Sequence, residues 1–204
     1  METALFFPSA NDAPLELDAF LPPGAPLEVD LGCGAGRFLL ARAAANPGTR
    51  YIGIDRMLPR IRKLDARILR LGLQNTRLLR AEALHALEIH LPRRRVQTLY
   101  VHFPDPWPKR CHHRRRLFAQ PHFLDLLATL LAPGGTVQIA TDHADYFAHI
   151  RRILAPDTRF QPVPPAPRLP CEQTDFELIF RKQGLPVFEA AWLKERGFSH
   201  PRME

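Results

Sequence analysis

Leu27-Glu28-Val29-Asp30-Leu31-Gly32-Cys33-Gly34-Ala35-Gly36-Arg37 decides the fold class. A short apolar run passes directly into three alternate glycines and then into residues that repeat at helical spacing. Glycines permit a tight turn and let a ligand approach the backbone where a helix begins. Outward from this strand, turn and helix, the same alternation recurs. The short apolar runs Pro26 to Leu31, Arg50 to Ile54, Thr76 to Arg80, Val96 to His102 and Thr136 to Thr141 are separated by longer segments with helical periodicity. Strands alternating with helices predict an α/β fold, a three-layer Rossmann-like arrangement with helices on both faces of a mostly parallel sheet. Ligands on such sheets bind at the carboxyl ends of the strands. The tail reads differently. Gln161 to Pro170 is a proline-rich connection, and Phe176 to Lys182 and Pro186 to Trp192 are strand-like stretches separated by Gln183-Gly184-Leu185. They predict a closing C-terminal antiparallel hairpin, which brings the sheet to seven strands.

A chain of 204 residues, 46% of them apolar, buries one sizeable core. The expected organisation is an irregular lead-in over residues 1–25, marked by Pro8, Pro14, Pro22, Pro23 and Gly24, and one domain over residues 26–204. The formal charge of +7 and the isoelectric point near 9.9 favour a polyanionic partner. No basic-then-apolar leader pattern begins the sequence, and no run approaches the roughly 18 apolar residues of a membrane span. A soluble, cytoplasmic protein without a membrane partner is expected. Cys33, Cys111 and Cys171 lack paired spacing, so neither a disulfide framework nor a zinc site is predicted.

The glycine spacing is informative about the ligand. A dinucleotide fingerprint would place its third glycine at the position of Arg37, so G-x-G-x-G over Gly32, Gly34 and Gly36 argues against a nicotinamide cofactor. Asp30 precedes the glycines, and Asp55 ends the second strand nineteen residues after Gly36. These acids suit a ligand with a cationic amino acid end and a ribose diol, and S-adenosylmethionine has both. Glu82 follows the third strand, where it could meet an adenine amino group. Asp55 and Glu82 are also ordinary helix-capping residues, which is the plainer reading of both.

The fourth strand ends in Phe103-Pro104-Asp105-Pro106-Trp107-Pro108-Lys109. Three prolines in five residues stiffen the loop and hold one carboxylate and one aromatic ring in place. Trp107 either stacks on a base or packs the loop. Lys109, Arg110, Cys111, His112, His113, Arg114, Arg115 and Arg116 follow, with five full positive charges in eight residues. Such a cluster neutralises phosphates, although a solvated charge run would look the same. Asp142, after the fifth strand, is a candidate site residue or the cap of a helix over Ala144 to Leu154, and both roles are compatible. Arg56, Arg60, Lys63, Arg67 and Arg70 form a basic stripe beside the apolar stripe Ile61, Leu64, Ile68 and Leu71. The apolar stripe is core; the basic one is a wet face or a phosphate contact.

D-L-G-C-G-A-G at 30–36, F-P-D-P-W-P-K-R-C-H-H-R-R-R at 103–116, A-T-D at 140–142 and T-D-F-E at 174–177 together resemble the bacterial tRNA (guanine-N7)-methyltransferase family, a class I S-adenosylmethionine-dependent group. The resemblance runs from about Leu27 into the C-terminal region. It implies S-adenosylmethionine as cofactor and transfer of methyl to N7 of a guanine in the tRNA variable loop. It places Asp30, Gly32, Gly34, Gly36, Asp55, Glu82 and Asp105 at the cofactor and makes Asp105 the catalytic residue. Lys109, Asp142 and Thr174, Asp175, Phe176 and Glu177 fall on tRNA-contacting positions, and Cys111 to Arg116 on the RNA-contacting segment. Asp30 stands where the family usually has glutamate, which leaves nearby Glu28 as an alternative for that contact. Consecutive Cys111, His112 and His113 rarely converge on one ion, so no metal is predicted, and a monomer or homodimer is expected. A non-catalytic RNA-binding module on the same shell, or a methyltransferase for another substrate, are the competing readings.

Overall fold

The computed structural model describes residues 3–6 and 13–196. Strands β1 (Leu27–Leu31), β2 (Arg50–Asp55), β3 (Thr76–Arg80), β4 (Val96–His102) and β5 (Leu131–Thr141) are mutually parallel. β6 (Phe160–Val163) and β7 (Phe188–Lys194) complete a sheet of order β3-β2-β1-β4-β5-β7-β6. β7 runs antiparallel to both β5 and β6, so β7 alone is reversed. Every residue of β1 is buried. That is the signature of a central strand covered on both faces, and it explains why Leu27 to Leu31 reads as a continuous run rather than an alternation.

Helices α1 (Arg37–Ala45) and α2 (Leu58–Arg70) follow β1 and β2. Ile61, Leu64 and Ile68 of α2 are fully buried with Leu39, Leu40 and Tyr51, whereas Leu71, at the helix end, is 56% exposed. The larger core, on the other side, joins Val29, Ile52, Leu99, Val101 and Val137 to helices α4 (Phe123–Leu130) and α5 (Ala144–Leu154). A short helix α3 (Ala83–His85) continues as a wide turn that closes with Leu91 N–H donating to Ala86 O. The described part of the lead-in is irregular but packed: Leu15, Leu17, Phe20 and Leu21 belong to the larger core. Residues 4 and 6 exchange backbone hydrogen bonds with Leu78, which covers the open edge of β3.

The expected closing hairpin is wrong in its first strand. Residues 176–182 lie in helix α6 (Asp175–Lys182), and the partners of β7 are β5 and β6, the latter inside the proline-rich connection. The cause is local. The Thr174 hydroxyl accepts from the Glu177 N–H at 3.0 Å, the first turn is acidic and the last basic, and Gly184 closes the helix at φ 72°. β5 also begins five residues before the expected Thr136.

Candidate active site

The strand order changes direction between β1 and β4, and the crevice at their carboxyl ends is where a sheet of this kind receives a ligand. Gly32, the first residue of the glycine turn, lines it, and the rest of the turn lies behind. Gly36 caps α1 at φ 74°, and a Cβ there would stand 2.3 Å from a methyl of Leu64, so this position is closed to other residues by both backbone and packing. Asp55, 7% exposed, braces the turn: one carboxylate oxygen accepts the Gly34 N–H at 3.1 Å and the other the Met57 N–H at 2.7 Å. Arg60 approaches the same carboxylate at 3.7 Å.

Asp30 is 4% exposed, and burial, followed by the nearby Asp55 charge, pushes its carboxyl up to about 7. Its neutral form is the one favoured in the folded chain, while the unfolded chain ionises near 3.8. Folding stability therefore falls as pH rises from about 4 to about 7. Asp30→Asn is expected to raise the unfolding temperature more at pH 8 than at pH 5; equal shifts would overturn this account of Asp30.

The Phe103–Trp107 loop is pinned at both ends in backbone conformations that bulky residues avoid, with Phe103 at φ 51° and Trp107 at φ 41°. Phe103 N–H donates to Ala140 O at 2.7 Å. Arg116, 2% exposed, donates from Nε to Pro106 O at 2.7 Å and pairs with Asp145 at 2.9 Å, with its plane 4.7 Å over the Tyr146 ring. Asp105 is exposed, and Trp107, half-buried, carries Arg115 at 5.0 Å over its ring.

Asp55, Glu82, Asp105, Trp107 and Asp142 line one cavity of about 500 Å³ together with Gly32. Arg115 closes one side, Arg56 and Arg60 another, and Phe176 and Phe180 of α6 a third. Phe103 packs 5.5 Å from Phe180, which stacks on Phe176 at 6.0 Å.

Residues 24–190 match the sequence model of a family described as a putative methyltransferase. The chain is 39% identical over 182 residues to a tRNA (guanine-N(7)-)-methyltransferase of Halorhodospira halophila, covering 86% of this chain and 78% of that one. This chain belongs to the tRNA (guanine-N7)-methyltransferase family. A second member, from Chromohalobacter salexigens, is 41% identical over 180 residues, with 86% and 72% covered. Among solved structures, a 16S rRNA methyltransferase, KamB, aligns with TM-score 0.64 at 17% identity over 88% of this chain and 91% of its own. An S-adenosylmethionine-dependent O-methyltransferase of Thermotoga maritima aligns with TM-score 0.57 at 14% identity over 86% and 62%. Both establish the class I methyltransferase fold.

Within this family frame, the sequence-derived residues divide. Gly32, Asp55, Glu82, Asp105, Arg115, Asp142 and Phe176 meet on the cavity. Asp30, Gly34 and Gly36 lie behind it in and under the turn. Lys109, Cys111 and Arg114 are exposed and His112 and His113 half-buried along a 3₁₀ segment over Arg110–Arg115. Arg116 belongs to the interior as a tether for the loop. The T-D-F-E stretch splits as well. Thr174 is the helix cap, Asp175 and Phe176 are exposed, and Glu177, 1% exposed, is held between Arg168 at 2.7 Å and Arg181 at 2.9 Å. Glu28, the alternative to Asp30, pairs with Arg42 at 3.0 Å and accepts from the Tyr100 hydroxyl at 2.9 Å. Glu82 does cap α3, accepting the His85 N–H. Asp142 does not cap α5; His143 does, through Nδ1.

Phe180 and His102 were missed. Phe180 sat in a segment read as a strand. His102 faces the cavity with Nδ1 buried and without a partner among the described residues, and burial, reinforced by Arg168 and Arg42, lowers its pKa to about 3, so it stays neutral. The signal for it was a lone polar residue ending an apolar strand just before the proline loop. The carboxylates Asp55, Glu82, Asp105 and Asp142 on the lining, the orphaned imidazole nitrogen of His102 and a volume within the usual range for ligand sites fit a cationic nucleoside such as S-adenosylmethionine.

Proposed function

We propose that this protein transfers a methyl group from S-adenosylmethionine to N7 of a guanine in the variable loop of tRNA, in the cytoplasm. The observation that carries this reading is the pinned Phe103–Trp107 loop, which presents Asp105 and Trp107 to the same cavity as Asp55 and Glu82, beside the exposed basic segment. Asp30 and the glycine turn would receive the methionine end, Asp55 the ribose and Glu82 the adenine. Bound there, S-adenosylmethionine supplies an electrophilic methyl on a sulfonium.

Guanine N7 brings a free lone pair, so no proton has to be removed and no strong base is needed. The residues of the cavity instead exclude water and fix the ring, an effect that supplies several kcal/mol of the barrier. The Asp105 carboxylate accepts from the N1 and N2 edge of guanine and favours the positive charge that develops on the base. Lys109, Arg114 and Arg115 take phosphates, and the exposed ring of Phe176 offers a flat surface to a base.

Tritiated methyl transfer tests the reading: tRNA with 7-deazaguanine at the target is expected to accept no label. Incorporation equal to that of unaltered tRNA would exclude N7 as the acceptor.

A further inference from the structure

The basic face of α2 is the largest charged feature that the guanine site leaves unused. Arg60, Lys63, Arg67 and Arg70 recur at spacings of three and four and so share one side of the helix, with Arg56 just ahead of its first turn. Arg60 leans toward Asp55, and Arg67 donates to Ala35 O at 2.6 Å. Arg56, Arg62, Lys63 and Arg70 are exposed and have no hydrogen-bond or ion-pair partner among the described residues. The single acid of the helix, Asp65, is spent elsewhere, accepting Ala4 N–H at 2.6 Å and the Thr3 hydroxyl at 3.1 Å.

A solvated face would normally intersperse acids among its bases. Here each neighbouring pair of cations repels and the first turn holds no acid; Arg67 and Arg70 in the last turn suit the helix dipole, but no acid on this face offsets the run of positive charge. The position of the face tells what it meets. Arg56 and Arg60 line the rim of the active cavity, while Arg115 lines it from the 3₁₀ segment. The cavity therefore opens between two basic surfaces, and only the 3₁₀ one belongs to the motif that carries the guanine chemistry.

We propose that the exposed face of α2, led by Lys63 and Arg70, is a second phosphate-binding surface that grips the tRNA backbone away from the target nucleotide. The proposal rests on tRNA being the substrate. From Arg60 to Arg70 the face extends about 15 Å at 1.5 Å per residue, room for more than one phosphate of a folded RNA.

The test compares the full chain with the double variant Lys63→Gln/Arg70→Gln and with a control of equal net charge, Arg151→Gln/Arg152→Gln. The control alters two exposed cations in the last turn of α5. Dissociation constants for tRNA are measured across a salt series. The α2 variant is expected to bind about tenfold more weakly, with its log–log salt slope smaller by about 2, one for each phosphate contact removed. The control keeps the unaltered slope. An unchanged slope in the α2 variant, or an equal loss in the control, would overturn the proposal. If the unaltered protein bound no tRNA at any salt concentration, the substrate reading itself would fail instead.

Discussion

Asp105→Ala is expected to lower methyl transfer to tRNA by about 10²–10³-fold, the usual cost of removing a preorganised group aimed at developing charge. The fold should not notice the change. Asp105 is exposed, and the loop is held by groups other than its carboxylate: Phe103 N–H on Ala140 O, Arg116 on Pro106 O, and the prolines on either side. An exposed substitution of this kind shifts stability by no more than about 0.5 kcal/mol. Single-turnover kinetics with labelled cofactor, beside a thermal melt, separate the two effects. Near-normal turnover in a folded variant would remove Asp105 from the reaction.

Arg168→Met carries the largest expected effect on stability. Arg168 holds Glu177 on one side and Glu189 on another, and the Glu177 side chain is 1% exposed. Without Arg168 the buried carboxylate keeps only Arg181, whose own side chain is 48% exposed. Removing one partner of a buried ion pair costs about 3–5 kcal/mol, because the remaining charge is stranded rather than because the pair itself is strong. Helix α6 should loosen, and with it the Phe176–Phe180 wall of the cavity. Urea unfolding measures the loss, and a drop below about 1 kcal/mol would refute it. The double variant Arg168→Met/Glu177→Leu should recover a large part, since it leaves no unpaired charge at that position.

The misread tail shows where sequence patterns lose their force. Phe176, Leu178, Ile179 and Phe180 form a short apolar-rich run whose composition suits a strand as well as a helix. Thr174 and Glu177 at its start and Gly184 at its end are the capping pattern of a helix, and they decide between the two. The folded roles of T-D-F-E are mixed: a cap, two exposed residues and a buried ion-pair centre. The run Lys109 to Arg116 behaves similarly. Charge alone cannot separate Arg116 from its neighbours, because its burial depends on Asp145 and Tyr146 arriving from α5.

By itself the sequence determined the five parallel strands, the glycine turn, the two acids flanking it, the proline loop and the family. Each of these is a local matter, written in apolar runs, in glycines that only a tight turn accommodates, and in motif residues a few positions apart. The tertiary structure decided which groups face the cavity. Glu28 and Asp30 stand two residues apart on the same side of β1, yet contacts from α1 and β4 bind Glu28 to Arg42 and Tyr100, while Asp30 is buried near Asp55 with no ion-pair partner among the described residues. His102, Phe180 and Arg168 likewise acquire their places from partners distant in sequence. Charge and hydrophobicity along the chain say what a side chain prefers, and only packing fixes which neighbour meets that preference.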